Sequence, residues 1–421
     1  MTVRGDLLMI VHRVPYPPDK GDKIRSYNQL RFLTEQGWRV HLCALADDPV
    51  DLGHVEELGR LCATVAIEPI NPLFQKIRSL SAPLRGLPMS ARFFYSSDLQ
   101  KKVDQILSHH PVSAVLCFCG PIAEYLRRSS CTPLSQASDR QMTCVMDLVD
   151  VDSDKWEQYA QRHAVPLKWV FRLEGWLLRR YEQQITHWFD AVALVSEAEA
   201  DVFRNRTGLL HKIHAVGNGV DLAYFHPSVE TTGQRNLRIS FCGAMGYLPN
   251  IDAVCWFARE VLPRIRETLG DVEFWIVGGG AGEEVRVLET YPGVRVTGRV
   301  ADVRPFVWES DLSVAPIRIA RGIQNKVLEA MAMGIATLVT PQAFEGLEVE
   351  AGRDLLVVPA EPELFAAKAI EMLRELGWRH DMALHARRAV EEKYSWSARL
   401  QALDELLRGA SADSAPFPVV E

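Results

Sequence analysis

The sequence predicts an α/β protein of two Rossmann-like domains, each a parallel sheet covered by helices, facing a central cleft. Three observations carry that prediction. Short apolar runs alternate with helix-period segments along both halves of the chain, which is how parallel sheets buried on both faces read. The length, 421 residues, exceeds what one hydrophobic core supports. Between residues 225 and 236 the apolar periodicity gives way to Pro227, Ser228, Thr231, Thr232, Gly233 and Gln234, the composition of a linker.

In chain order, the first half offers strands at residues 7–12, 40–46, 65–70, 114–119, 144–149, 191–195 and 213–216. The second repeats the scheme at 237–242, 272–277, 294–297, 312–315, 336–339 and 355–358. The domains are accordingly expected at residues 1–230 and 231–394, followed by a helix over 395–408 and a disordered tail over 409–421. Doubly wound sheets collect ligands at the carboxyl ends of their strands, so the turns leaving those ends carry the functional reading.

The most informative of these turns is Arg321-Gly-Ile-Gln-Asn-Lys-Val-Leu-Glu-Ala-Met-Ala-Met-Gly334. Gly322 loosens the chain after a strand, Gln324, Asn325 and Lys326 add donors and a positive charge, and good helix formers continue until Gly334. The free N–H groups and positive dipole end of such a helix suit a diphosphate. One turn on, Glu329 can offer a carboxylate to the vicinal hydroxyls of a ribose. Phosphate donors beside a diol acceptor describe a nucleotide site.

Other turns contribute less specific signals. His12 and the proline-stiffened loop after it reach Gly21 just before a helix, with Lys23 and Arg25 following. In the turn 241–250, Gly243 and Gly246 allow close backbone approach, while Asn250 and Asp252 read as helix caps. Gly278-Gly-Gly280 ends another strand, a common turn composition. The run Asp147-Leu-Val-Asp-Val-Asp-Ser153 holds two Asp-x-Asp spacings. Asp150 or Asp152 can take or orient the proton of an acceptor hydroxyl; the competing reading is a helix N-cap by Asp152 or Ser153.

The 321–334 stretch resembles the GT-B glycosyltransferases that use nucleotide sugars, particularly their large retaining family, whose characteristic segment is a Glu followed by Ala-Met and a Gly. Pro15-Tyr-Pro-Pro-Asp-Lys-Gly21, Asn218-Gly-Val-Asp221 with Phe225 and Pro227, and Gly298-Arg-Val-Ala-Asp302 fit the same resemblance in the same order. More narrowly, Asp147 to Ser153 and Asn250-Ile-Asp-Ala-Val254 look like the sugar transferases of bacterial PEP-CTERM/exosortase exopolysaccharide loci. The resemblance implies that Gly21 approaches the diphosphate with Lys23 and Arg25 as candidate ligands beside it, that the backbone at Val300 bonds the base while Arg299 contacts phosphate, and that the last helix braces the first domain. It further implies a nucleoside-diphosphate sugar as donor, a glycan or lipid-linked acceptor, and retention at the anomeric carbon, with Arg321 and Lys326 stabilising the departing diphosphate. No cofactor and no metal are expected, since the helix start and Lys326 supply the phosphate donors. One departure stands out: the family places a second Glu eight residues before its Glu-Ala-Met, and Arg321 occupies that position. A cation cannot accept hydrogen bonds from sugar hydroxyls.

Composition limits the alternatives. A net charge of -7 argues against nucleic acid as a partner. The eight cysteines lie mostly in apolar runs without a Cys-x-x-Cys pair and read as reduced core residues. The apolar run near residue 1 is about six residues, shorter than a signal h-region, so a cytoplasmic protein is expected. The tryptophans and cations of residues 166–182, with further cations between Lys76 and Arg92, add peripheral contact with the inner face of a membrane. Two other functions share the architecture: a nucleotide-sugar epimerase, and a non-catalytic nucleotide binder, the latter suggested by Arg321.

Overall fold

The computed structural model describes residues 4–131, 142–162, 165–228, 236–319 and 323–409. The chain divides into two compact units, Met1–Asn218 with Arg399–Glu421, and Gly219–Ala398. This division differs from the expected 230/231 boundary, which lies outside the described residues, and hydrogen bonding explains the difference. Val220 N donates to Tyr394 O at 2.7 Å, and the Arg387 guanidinium donates to Phe225 O at 2.8 Å, so the segment after Asn218 is tied into the second unit. The tail from residue 410 is also outside the described residues.

In the first unit the strands are Gly5–Val11 (β1), Trp38–Ala46 (β2), Thr64–Pro69 (β3), Val112–Phe118 (β4), Thr143–Val149 (β5), Ala191–Leu194 (β6) and Ile213–Ala215 (β7). They form one sheet in the order β3-β2-β1-β4-β5-β6-β7, with every pairing parallel. The second unit contains Leu237–Cys242 (β8), Val272–Val277 (β9), Val294–Gly298 (β10), Leu312–Ala315 (β11), Thr337–Val339 (β12) and Leu356–Val357 (β13), ordered β10-β9-β8-β11-β12-β13 and again parallel. Each expected strand is present, with ends displaced by no more than about two residues.

Central strands are apolar on both faces because helices cover both: Leu7 to Val11 of β1 are fully buried, as are Phe274, Ile276 and Val277 of β9. Each unit has its own core, one built around Leu8, Ile10, Val115 and Cys117, the other around Ile239, Phe241, Phe274 and Leu328. In both sheets the winding reverses beside the first strand, between β1 and β4 and between β8 and β11. Connections diverge there and leave room for a ligand at the strand ends.

The last helix is Trp396–Leu407. From Arg399 onward it counts with the first unit, where buried Asp404 accepts the Trp38 indole N–H at 2.7 Å and pairs with Arg4.

Candidate functional site

In the second unit, the helix after β11 runs Asn325–Ala332 with Gln324 as its N-cap. It stops because Gly334 adopts φ 71 and Ile335 N turns back to Ala330 O, the left-handed ending that glycine permits without strain. Lys326 Nζ donates to Gln324 Oε1 at 2.8 Å and lies 5.6 Å from the centroid of the Phe241 ring. Burial pulls the Lys326 ammonium below its ordinary range, against the attraction of Glu329. Burial also pushes the Glu329 carboxyl up to about 7, with Lys326 opposing. Among the described residues no hydrogen bond reaches that carboxyl, so a carboxylate desolvated by the fold is left to bond a ligand. Asn325 is exposed at the helix start. Arg321 and Gly322, expected beside the phosphates, lie outside the described residues.

The end of β8 meets this helix. A Cβ placed on Gly243 would come 3.3 Å from Lys326 Cε and 2.8 Å from Asn250 Nδ2. A Cβ on Gly278, which has φ 139, would come 1.9 Å from Gly243 O. Glycine at both positions is what lets the ends of β8 and β9 touch while Lys326 passes over them. Neither Asn250 nor Asp252 caps the following helix, because that helix begins earlier, at Leu248, with Tyr247 as its N-cap. Asn250 instead donates from Nδ2 to Ala244 O at 2.9 Å, and Asp252 pairs with Arg318. Arg299, exposed after β10, packs its Cβ against Gly279, and half-buried Val300 follows. The fold thus lines up Arg299, Gly279, Gly243 and Lys326 along the strand ends.

In the first unit a cavity of about 420 Å³ opens at the carboxyl ends of β1, β4 and β5, lined by His12, Gly21, Asp22, Cys119, Asp150 and Lys155 among others. Gly21 is the first residue of the helix Gly21–Glu35. Two cavity residues hold left-handed backbone without being glycine, Cys119 (φ 79) and Val149 (φ 68). For a β-branched residue this costs about 1–3 kcal/mol. Three hydrogen bonds hold it in place: Val149 N donates to Asp147 Oδ1 at 3.1 Å, Val195 N donates to Val149 O at 2.7 Å, and Cys119 N donates to Asp147 O at 2.8 Å.

Two cations expected as phosphate ligands are otherwise engaged. Arg25 is buried and bonds Asp147 with both Nε (2.7 Å) and Nη2 (3.1 Å), while its Nη1 reaches Asn218 at 2.8 Å. Lys23 is buried against Asp51 at 2.8 Å. Both serve as structural ion pairs, a role the sequence does not show because the partners are remote in the chain.

Asp150 and Asp152 both face Lys155, at 2.7 and 3.1 Å. Burial opposes its charge, yet the two carboxylates hold the Lys155 ammonium well above its ordinary range. Asp152 also opens the helix Asp152–Arg162. Ser153 does not act as that helix's cap: its N–H and hydroxyl both donate to buried Glu182, at 2.9 and 2.6 Å. His12 lines the same cavity. Its Nε2 lies 3.1 Å from Asp22 Oδ2, its ring stacks on Phe118, and its buried Nδ1 has no hydrogen-bond partner among the described residues. A carboxylate only accepts, so Nε2 carries the hydrogen of that bond. That bond, with Arg13, holds the Asp22 carboxyl well below its usual range.

A separate group, Asp6, His41 and His110, gathers at the amino ends of the strands. Both His41 nitrogens are engaged, with Asp6 at 3.1 Å and Thr64 at 2.9 Å, and Arg39 stands 3.7 Å from Asp6. The eight cysteines are free thiols, and burial raises those of Cys43, Cys62, Cys144 and Cys242 to about 12. No helix among the described residues is long and apolar enough to cross a membrane.

Comparison with known proteins follows the same geometry. The family described as "Glycosyl transferases group 1" matches residues 236–375, which include Gly243, Arg299, Lys326 and Glu329. A phosphatidyl-myo-inositol mannosyltransferase of Propionibacterium freudenreichii subsp. shermanii is 31% identical over 215 residues, 49% of this chain and 53% of that protein. The match therefore spans about half the length of that relative. Among solved structures, a glycosyltransferase from Rickettsia africae superposes with a TM-score of 0.63 at 13% identity, covering 98% of this chain and 100% of that one. Alr3699/HepE of Anabaena, solved with UDP and glucose, gives 0.59 at 14% identity, covering 96% and 99%. The segment 236–375 is thus similar to the group 1 glycosyl transferases, and the fold of the whole chain is the twin Rossmann architecture of GT-B glycosyltransferases.

Proposed function

We propose that the protein is a glycosyltransferase that moves a sugar from a nucleoside-diphosphate sugar to a glycan or lipid-linked acceptor, with retention and without a required metal. The observation that carries this reading is Glu329: a carboxyl pushed up to about 7, unbonded by the described residues, one helical turn from Lys326 at a helix start. A ribose diol supplies the missing donors and a diphosphate suits the helix start. Lys326, Gln324, Asn325 and the Gly243 backbone would hold the donor, with Arg299 and Val300 completing its surroundings. The protein's work is then positioning and stabilisation of the departing diphosphate.

Asp150 or Asp152 would orient the acceptor hydroxyl, each sharing Lys155. His12 is the second candidate, on the strength of its Nδ1, unbonded among the described residues. Synthesis of an exopolysaccharide or other cell-surface glycan is the proposed setting, supported by the sequence resemblance to exosortase-associated transferases. Alr3699/HepE with UDP and glucose makes a uridine nucleotide the first donor base to try.

The test is a thermal-shift panel of UDP, GDP, ADP and their sugar conjugates on the native protein and on Glu329→Ala. A ligand at a hundredfold excess over Kd stabilises by about 2.7 kcal/mol. One base should shift the native protein and lose that shift in the variant; no shift from any base would defeat the reading. Sugar conversion without acceptor would indicate an epimerase, and binding without turnover on any acceptor a non-catalytic protein.

A further inference from the structure

The helix Pro72–Ser79 is inside out. Its polar Gln75 and Ser79 are buried, whereas Leu73 (73% exposed), Phe74 and Ile77 face solvent, followed by Leu80 and by Leu84 at 90% exposure. Gln75 and Arg78 explain the orientation, since both donate to Tyr95 O and fix the polar side inward. A second segment repeats the anomaly. On the helix Leu167–Trp188, Trp169 (62% exposed), Leu173 and Trp176 (53%) recur at helical spacing on the outer face, with Val170 beside them. The two segments are joined: buried Glu174, on the inner side of the long helix, accepts Met89 N at 2.7 Å and Ser90 N at 3.0 Å from the helix after the Leu84 turn. Apolar exposure on this scale marks a surface that meets something.

Charge says what it meets. Although the whole chain carries -7, no acidic residue occurs between Glu68 and Asp98, a stretch holding Lys76, Arg78, Arg85 and Arg92. On the long helix the only acid before Tyr181 is Glu174, already used internally, against Lys168, Arg172, Arg179 and Arg180. Arg172 and Arg180 lie 5.7 and 4.8 Å from the rings of Trp169 and Trp176, so each tryptophan has a cation at its side. Burial, and after it the nearby Arg78, Arg128 and Arg85, disfavour the charge of Arg92. Exposed aromatics and aliphatics ringed by cations, even with Arg179 paired to Asp154, complement a surface that is apolar below and anionic above.

We propose that the face formed by the helix Pro72–Ser79, the turn through Leu84 and the first half of the helix Leu167–Trp188 docks on an anionic lipid bilayer. Phe74, Ile77, Trp169 and Trp176 enter the headgroup region, and the flanking cations meet lipid phosphates. The docking stands on this surface alone; it rests on the proposed transferase only for the idea that a lipid-linked acceptor would wait there.

The test is flotation of the full chain with vesicles of phosphatidylcholine alone and of equal parts phosphatidylcholine and phosphatidylglycerol. The native protein should float with the anionic vesicles only, with tryptophan emission shifting to the blue, and salt should weaken the association. Leu73→Ser/Phe74→Ser/Ile77→Ser, all at exposed positions, should lose binding at least tenfold while keeping the native Tm. Arg172→Ala and Arg180→Ala should each lose roughly fivefold. Native protein left behind by anionic vesicles, or binding unchanged in the triple variant, would overturn the proposal. So would a concentration-dependent dimer that the triple variant dissociates, which would give the face to a second copy. Donor-base binding is read separately, so either proposal can fail while the other stands.

Discussion

At the scale of single residues, Glu329 contributes to the pH behaviour. Its folded value, about 7, is raised above the ordinary carboxylate range, so the folded state holds the proton more tightly than the unfolded state. Stability from this group is fully present below the unfolded value near 4.3 and is lost as pH rises toward 7. Glu329→Gln removes that slope and should gain on the order of 2 kcal/mol over the native protein at pH 8 compared with pH 5, read from Tm. Ligand binding runs the other way. A ribose diol donates to the ionised form, so nucleotide affinity should rise between pH 6 and 8 in the native protein and rise less in Glu329→Gln. Equal pH profiles would remove Glu329 from the ribose. Arg25 gives a second prediction: it is buried on Asp147, so Asp147→Ala strands a charge and should destabilise by about 3–5 kcal/mol in urea unfolding.

At the scale of elements, the glycines at the ends of β8 and β9 decide how the strand ends meet the helix Asn325–Ala332. Gly278→Ala must displace Gly243 O, and it should cost about 1–3 kcal/mol and weaken nucleotide binding along with it. Loss of stability with unchanged affinity would separate these turns from the site. The same scale shows why Lys23 and Arg25 looked like ligands. They follow a glycine at a helix start, a pattern shared by phosphate loops and by ordinary β–α turns. Only packing brought Asp51 and Asp147 to them. Likewise, Asn250 has the composition of a cap, but Pro249 lets the helix begin earlier, at Leu248, and puts Asn250 inside its first turn.

At the scale of the whole molecule, the separate cores around Ile10 and around Phe241 predict two calorimetric transitions. Saturating nucleotide should raise the one belonging to residues 219–398 more than the other. A single transition moved as a whole would mean that the two cores unfold as one cooperative body.

The sequence by itself determined the two parallel sheets and their strands, because a strand covered on both faces must be apolar along its length and that pattern is local. It also placed Lys326 and Glu329 together at one helix start, because a helix start, its charge and the next turn lie within a few consecutive residues. Tertiary structure alone decided which cations are free. It also placed His12 on Asp22, forced Val149 into left-handed backbone, and turned the apolar side of Pro72–Ser79 outward. Those outcomes depend on partners remote in the chain, and pairing across the fold leaves no periodicity for a sequence to display.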